Sequence, residues 1–191
     1  MTSVLIVAEH SAGALNPSTA KCVTCARTID AAGPTVAVLA NHGGRVAAQP
    51  AALEGVARVL DVQHPANGVP LAALLAPQVA RLAREFTHVL GPSTTFGKDL
   101  MPRVAALLGV GQLSEIMSAE GPYRFKRPIY AGNAVITVEA AADRKLVATV
   151  RTASYAAASS GAAQAPIETV ALDVEIPTHT RFIELAAGNL E

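Results

Sequence analysis

The 191-residue sequence contains no tryptophan, only 4% aromatic residues and just two cysteines, Cys22 and Cys25. So few cysteines argue against a disulfide-stapled secreted fold and fit a reducing compartment. Charge of one sign is lacking too: 15 basic and 15 acidic residues give a formal net charge of zero. The densest basic cluster is Arg124, Lys126 and Arg127 around Phe125, so nucleic acid is not expected as the main partner. Long apolar runs are also missing. Leu71 to Val79 is interrupted by Pro77 and falls short of the roughly 20 residues a membrane-spanning helix needs, so an integral membrane protein is not expected. Met1 to His10 leads almost directly into an apolar run, with neither an Arg-rich transit peptide nor a basic signal-peptide start. Any targeting sequence is therefore expected to be removed or never present. What the chain does have is Ala, Val and Leu, within a hydrophobic share of 51%. That is the composition of helices layered on a sheet of small residues, in one generous domain or one domain with a tail.

Ser3 to Ala8 (SVLIVA) is almost wholly apolar and rich in β-branched residues, the pattern of a strand buried on both faces of a parallel sheet. Asn16 and Pro17 then supply an N-cap and a first helical residue. Val23, Ala26 and Ile29 form an inward stripe, and Gly33 and Pro34 stop the helix. Thr35 to Ala40 reads as a strand, Asn41 to Gly44 as a loop, Pro50 to Gly55 as a short helix and Val56 to Val62 as a strand. Helical spacing returns at Leu71, Leu74 and Leu75; Pro77 either kinks that helix or opens a new one. His88 to Leu90 forms a strand ending at Gly91 and Pro92. Thr94 or Thr95 caps the next helix, which Gly109 closes. The alternation suits right-handed crossovers, and hence a three-layer, Rossmann-like, mostly parallel α/β sheet with helices on both faces. After Gly111 the strand-like runs Leu113 to Met117, Tyr123 to Ile129, Ala134 to Val138 and Leu146 to Thr152 lie close together, so an antiparallel extension is expected near the C-terminal end. Tyr155 to Pro166 is a surface loop or linker, and Ile167 to Ile176 reads as one last strand. Thr180 to Leu185 begins an extended arm or a short helix.

No motif builds a convincing active site. Gly91 to Asp99 (GPSTTFGKD) places Gly-Lys between a strand and a helix. However, five residues separate Gly91 from Gly97 where a phosphate loop has four, and Asp99 stands where Ser or Thr would hold magnesium. A capped helix start is the expectation. Gly109 and Gly111 give half of a dinucleotide fingerprint, but they follow a helix and precede a strand, the reverse of the required order; Gly109 is read as a helix C-cap. Cys22 and Cys25 lie mid-helix, away from the N-terminal end that stabilises a thiolate, and are read as buried structural thiols. The five histidines, His10, His42, His64, His88 and His179, show no ligand spacing. His10, preceded by Glu9, ends the first strand where such sheets place their ligand crevice, and a loop-ordering hydrogen bond is its expected role. No catalytic, cofactor-binding or metal-binding residue is assigned.

Five blocks, VLIVAEH (Val4 to His10), LNPST (Leu15 to Thr19), HVLGPSTTFGKDLMPRVAALLGV (His88 to Val110), RPIYAGNA (Arg127 to Ala134) and TVRTASY (Thr149 to Tyr155), together resemble the alpha subunit of electron-transfer flavoproteins. The resemblance implies a heterodimer with a beta subunit of similar fold. Such a heterodimer takes electrons from flavin dehydrogenases, such as the acyl-CoA dehydrogenases of fatty acid beta-oxidation, and passes them to a quinone reductase. The expected location is the mitochondrial matrix in a eukaryote or the cytoplasm in a bacterium. In that family FAD sits mainly in a carboxyl-terminal domain behind an SGGRG-type motif, which this sequence lacks, so no FAD is expected on this chain alone. The implied layout is an N-terminal α/β domain over residues 1–176 and an arm or linker over residues 177–191. The implied role is a beta-subunit scaffold that carries electrons rather than an enzyme, with Arg127 to Ala134 contributing to the docking surface. The alternative is a stand-alone adenine-nucleotide binder using His10, Ser11 and the Gly91 to Lys98 loop.

Overall fold

The apolar runs form strands whose alternate side chains serve opposite faces. The computed structural model describes residues 2–41 and 45–184. In chain order the strands are β1 (Val4–Val7), β2 (His10–Ser11), β3 (Ala14–Leu15), β4 (Thr35–Ala40), β5 (Arg58–Gln63), β6 (His88–Pro92), β7 (Gln112–Ile116), β8 (Ser118–Ala119), β9 (Arg124–Ile129), β10 (Ala134–Glu139), β11 (Leu146–Val150) and β12 (Ile167–Val170). The helices are α1 (Ser18–Ile29), α2 (Ala48–Ala51), α3 (Ala72–Leu82) and α4 (Thr95–Leu108).

The main sheet runs β12-β5-β4-β1-β6-β11-β7, and every neighbouring pair in it is parallel. Along β1 and just past it, Val4, Ile6 and Ala8 join Cys22, Val23, Ala26 and Ile29 of α1 in one core, whereas Leu5 and Val7 join α3 and α4 in the other. Helices therefore cover both faces, as the continuous apolar runs imply. Asn16 makes the expected capping bond, its Oδ1 accepting from Ser18 N at 2.9 Å. α3 continues through Pro77 as one helix. Thr94 is the cap of α4, accepting from Gly97 N, and Gly109 ends the helix in the left-handed conformation at φ 66°, which glycine adopts at least cost.

The expected antiparallel element is present as a separate sheet, ordered β10-β9-β8. The strands on either side of it behave differently. β7 and β11, which short spacing suggested were hairpin partners, lie in the parallel sheet beside one another. The small sheet is the connection between them, where a crossover helix would usually stand. Phe125 plugs it into the α1-side core with no exposed surface. Arg127 ties it to β7, Nε donating to Ser114 O at 2.7 Å and Nη2 to Ser114 Oγ at 3.1 Å.

From β11 the chain crosses to the far edge of the sheet. On the way Ala158 N donates to Ala20 O of α1, Glu54 N to Ser159 O, and Gly161 N and Ala165 N to Ala52 O and Ala51 O beside α2. The stretch from Tyr155 to Pro166 is thus a surface loop fastened along its length. The last strand is shorter than its sequence suggests: β12 ends at Val170, and Ala171 to Glu184 has no regular structure. Leu185, the end of the expected arm, lies outside the described residues, as does His42 in the loop after β4.

Candidate functional site

In a doubly wound sheet the ligand crevice opens at the carboxyl ends of the strands, where the crossovers turn to opposite faces. Here that point lies between β1 and β6, the two strands that pair through Leu5 and Val89. A cavity of about 690 Å³ opens there, within the range of small-molecule sites. Leu39, Val46, Leu75 and Phe96 supply its apolar wall; His10, Asn41, Asn67, Thr95, Glu9 and Asp99 supply its polar groups.

The loop after β1 sets the polar end. Glu9 accepts a hydrogen bond at its Oε2 from Thr94 Oγ1 at 2.7 Å, and Ser18 Oγ approaches the same oxygen at 3.4 Å. One carboxylate thereby joins the start of α1 to the cap of α4. His10 Nε2 lies 2.7 Å from the carbonyl of Leu39. A carbonyl only accepts, so this nitrogen carries the hydrogen, and the bond holds the loop after β1 against β4 as the sequence suggested. Across the cavity, Asn67 and Gln78 exchange amide hydrogen bonds at 3.1 and 2.6 Å, and Asn67 also donates to Val62 O at 3.2 Å. This buried pair locks the turn after β5 onto α3. Nothing in the sequence signalled it, because amides eleven residues apart show no period.

The remaining candidates disperse. His64 accepts from Ala66 N at 3.1 Å and caps the short turn over Pro65–Gly68. His88 is fully buried at the opposite, amino-terminal end of β6; its Nε2 lies 2.6 Å from Pro122 O and its Nδ1 2.8 Å from Thr87 Oγ1. Burial holds its pKa below the ordinary value, because desolvation disfavours the charged ring. His179 is exposed in the C-terminal segment. Cys22 and Cys25 are fully buried inside α1. Burial pushes the Cys25 thiol up to about 11 and Cys22 well above its usual value, so neither is a thiolate at neutral pH. Among the described residues no cluster of three His, Cys, Asp or Glu side chains could hold a metal ion. No helix described is long and apolar enough to cross a membrane.

Gly91 to Asp99 is the strand end and capped helix start that the spacing indicated. Lys98 faces away from phosphate duty: its Nζ pairs with Glu115 at 3.0 Å, while Asp99 borders the cavity. The described lining residues thus bear two carboxylates and neither Lys nor Arg. They do not fit the pyrophosphate of a flavin dinucleotide, which calls for cationic groups or unoccupied helix amino ends.

Residues 4–175 match the family model described as Electron transfer flavoprotein domain. The chain is similar to the electron transfer flavoprotein subunit alpha of Pseudomonas aeruginosa, with 41% identity over 174 residues covering 88% of this chain and 54% of the relative. It is 37% identical to the mitochondrial subunit alpha of Dictyostelium discoideum, covering 85% of this chain and 48% of that protein. The subunit alpha of Paracoccus denitrificans is 40% identical, covering 88% and 54% respectively. The chain spans about half the length of the curated relatives it matches. With a single family model extending over the whole parallel sheet and the small sheet inserted in it, the chain belongs to the electron transfer flavoprotein domain family.

Proposed function

We propose that this chain is the scaffold half of an electron transfer flavoprotein alpha subunit. In this reading residues 1–176 dock a beta subunit, and residues 177–191 lead towards a flavin-holding region. The observation that carries it is the match over residues 4–175 combined with coverage of about half of each alpha subunit. What supports holding the flavin elsewhere is that the described lining of the crevice carries two carboxylates and neither Lys nor Arg.

The assembled protein would take electrons from flavin dehydrogenases and deliver them to a quinone reductase, with FAD held outside the residues described above. It would work in the mitochondrial matrix of a eukaryote or the cytoplasm of a bacterium, since similar proteins come from both kinds of source. The beta subunit would meet the tip joining β9 to β10. There Tyr130 is 79% and Val135 52% exposed, and Tyr130 and Ala131 both hold positive φ, at 50° and 54°. Such backbone costs of order 1 kcal/mol per residue and clusters at functional surfaces. The test is coexpression with the beta subunit of the same organism, followed by size-exclusion chromatography. A colourless one-to-one complex is expected, weakened by Tyr130→Ala; absence of binding at micromolar concentrations refutes the scaffold reading.

A further inference from the structure

We infer that Glu9 determines what the strand-end crevice accepts, its carboxylate serving as a built-in substitute for a ligand's phosphate and closing the cavity to phosphate-bearing molecules. The inference rests on the cavity and its own contacts, and it stands or falls independently of beta-subunit docking.

Two observations meet at this side chain. The first is the cavity itself, about 690 Å³ at the fold's usual ligand position, with Leu39, Leu75 and Phe96 for an apolar group and the Asn41 and Asn67 side chains on its wall. Its volume is that of a small-molecule site, but its two carboxylates do not suit a phosphate. The second is that an anion already sits at its polar end. Glu9 Oε2 takes the Thr94 hydroxyl at 2.7 Å and lies 3.4 Å from the Ser18 hydroxyl. Those hydroxyls belong to the cap of α4 and the first residue of α1. Both helices run for twelve residues or more, and their amino ends favour a negative charge. The loop that carries Glu9 is held in place on both sides, by His10 on Leu39 O and by Asn16 N donating to Glu9 O at 2.8 Å. An incoming phosphate would have to displace this carboxylate and then lie near both it and Asp99, with Lys98, in the first turn of α4, drawn off to Glu115. Two like charges at one site are strongly disfavoured.

The experiment uses the whole chain, with inorganic phosphate and AMP as probes, and compares wild type with Glu9→Ala and Glu9→Gln. Wild type should show no heat on calorimetric titration with AMP and no thermal shift with phosphate. Glu9→Ala, with the carboxylate gone and both hydroxyls freed, should bind AMP at least tenfold more tightly than wild type. It should also gain about 3 °C or more in melting temperature at about 10 mM phosphate. Glu9→Gln keeps the side chain's shape, and should show a smaller gain in the same direction. Wild type binding AMP as tightly as Glu9→Ala overturns the inference. So does a Glu9→Ala protein with native circular dichroism and a cooperative melt that ignores phosphate. If Glu9→Ala fails to fold, a folded Glu9→Gln that shows no phosphate response overturns it equally.

Discussion

Gly97 stands where the first turn of α4 passes the end of β6, and replacing it with alanine is a sharp test of that packing. A Cβ built there would lie 1.7 Å from the carbonyl oxygen of Pro92 and 2.9 Å from its carbon. The nearer distance is less than half of the roughly 3.5 Å at which non-bonded atoms rest. The atom struck is backbone at a residue paired with Val150 of β11, so no side chain can swing away and the helix must move instead. Movement stretches the Gly97 N to Thr94 Oγ1 cap, already 3.4 Å long, and with it the Thr94 bond to Glu9. Overpacking of this kind costs about 1–3 kcal/mol and loss of a cap about 1 kcal/mol. Alanine's helix preference over glycine returns about 1 kcal/mol. With rigid backbone as the obstacle the upper end applies, and the net loss is about 3 kcal/mol, or about 6–12 °C in melting temperature for a chain of this size. Far-UV circular dichroism followed through thermal unfolding measures it. Gly111→Ala, where a Cβ meets nothing within 4 Å, serves as the neutral control. A Gly97→Ala protein melting at or above wild type would refute the packing argument.

Three further outcomes follow from buried groups. Native His88 resists protonation because burial holds its pKa down. Below about pH 6.5 the unfolded chain takes up a proton that the native ring refuses. Stability should therefore be full above that pH and fall as pH drops towards the lowered native pKa, and urea midpoints should show a shallower fall for His88→Gln. Phe125→Ala empties the centre of the small sheet's packing and should cost about 3–5 kcal/mol in urea unfolding; a loss below about 1 kcal/mol would mean that the small sheet is not anchored by this ring. The buried Tyr155 hydroxyl has only the Cys25 thiol beside it, a weak partner at most, so Tyr155→Phe should be neutral or stabilising by up to about 1 kcal/mol in the same assay.

What the sequence made legible divides along range of interaction. β1, β4 and β6 could be read because strands buried on both faces leave unbroken apolar runs, and the ends of α4 because Thr94 and Gly109 act on their own turn. Strand pairing could not. Leu113 to Met117 and Leu146 to Thr152 sit close to a true hairpin in the sequence, and nothing local distinguishes hairpin strands from strands that flank one and join a distant sheet. At the crevice, His10 was visible as a residue at a strand end. Glu9 acquired its meaning only beside Thr94, 85 residues away, where the two helix starts converge.

The strap that leaves β11 carries the chain past α1 and α2 before β12 adds to β5 on the far side. Until residues near Val170 have left the ribosome, β5 presents an unpaired edge through Val59 and Val62, a surface open to pairing with another chain. Slow synthesis over the Tyr155 to Pro166 stretch would prolong that exposure. Recombinant yield should accordingly respond to codon choice in this stretch more than in the sequence encoding the early strands.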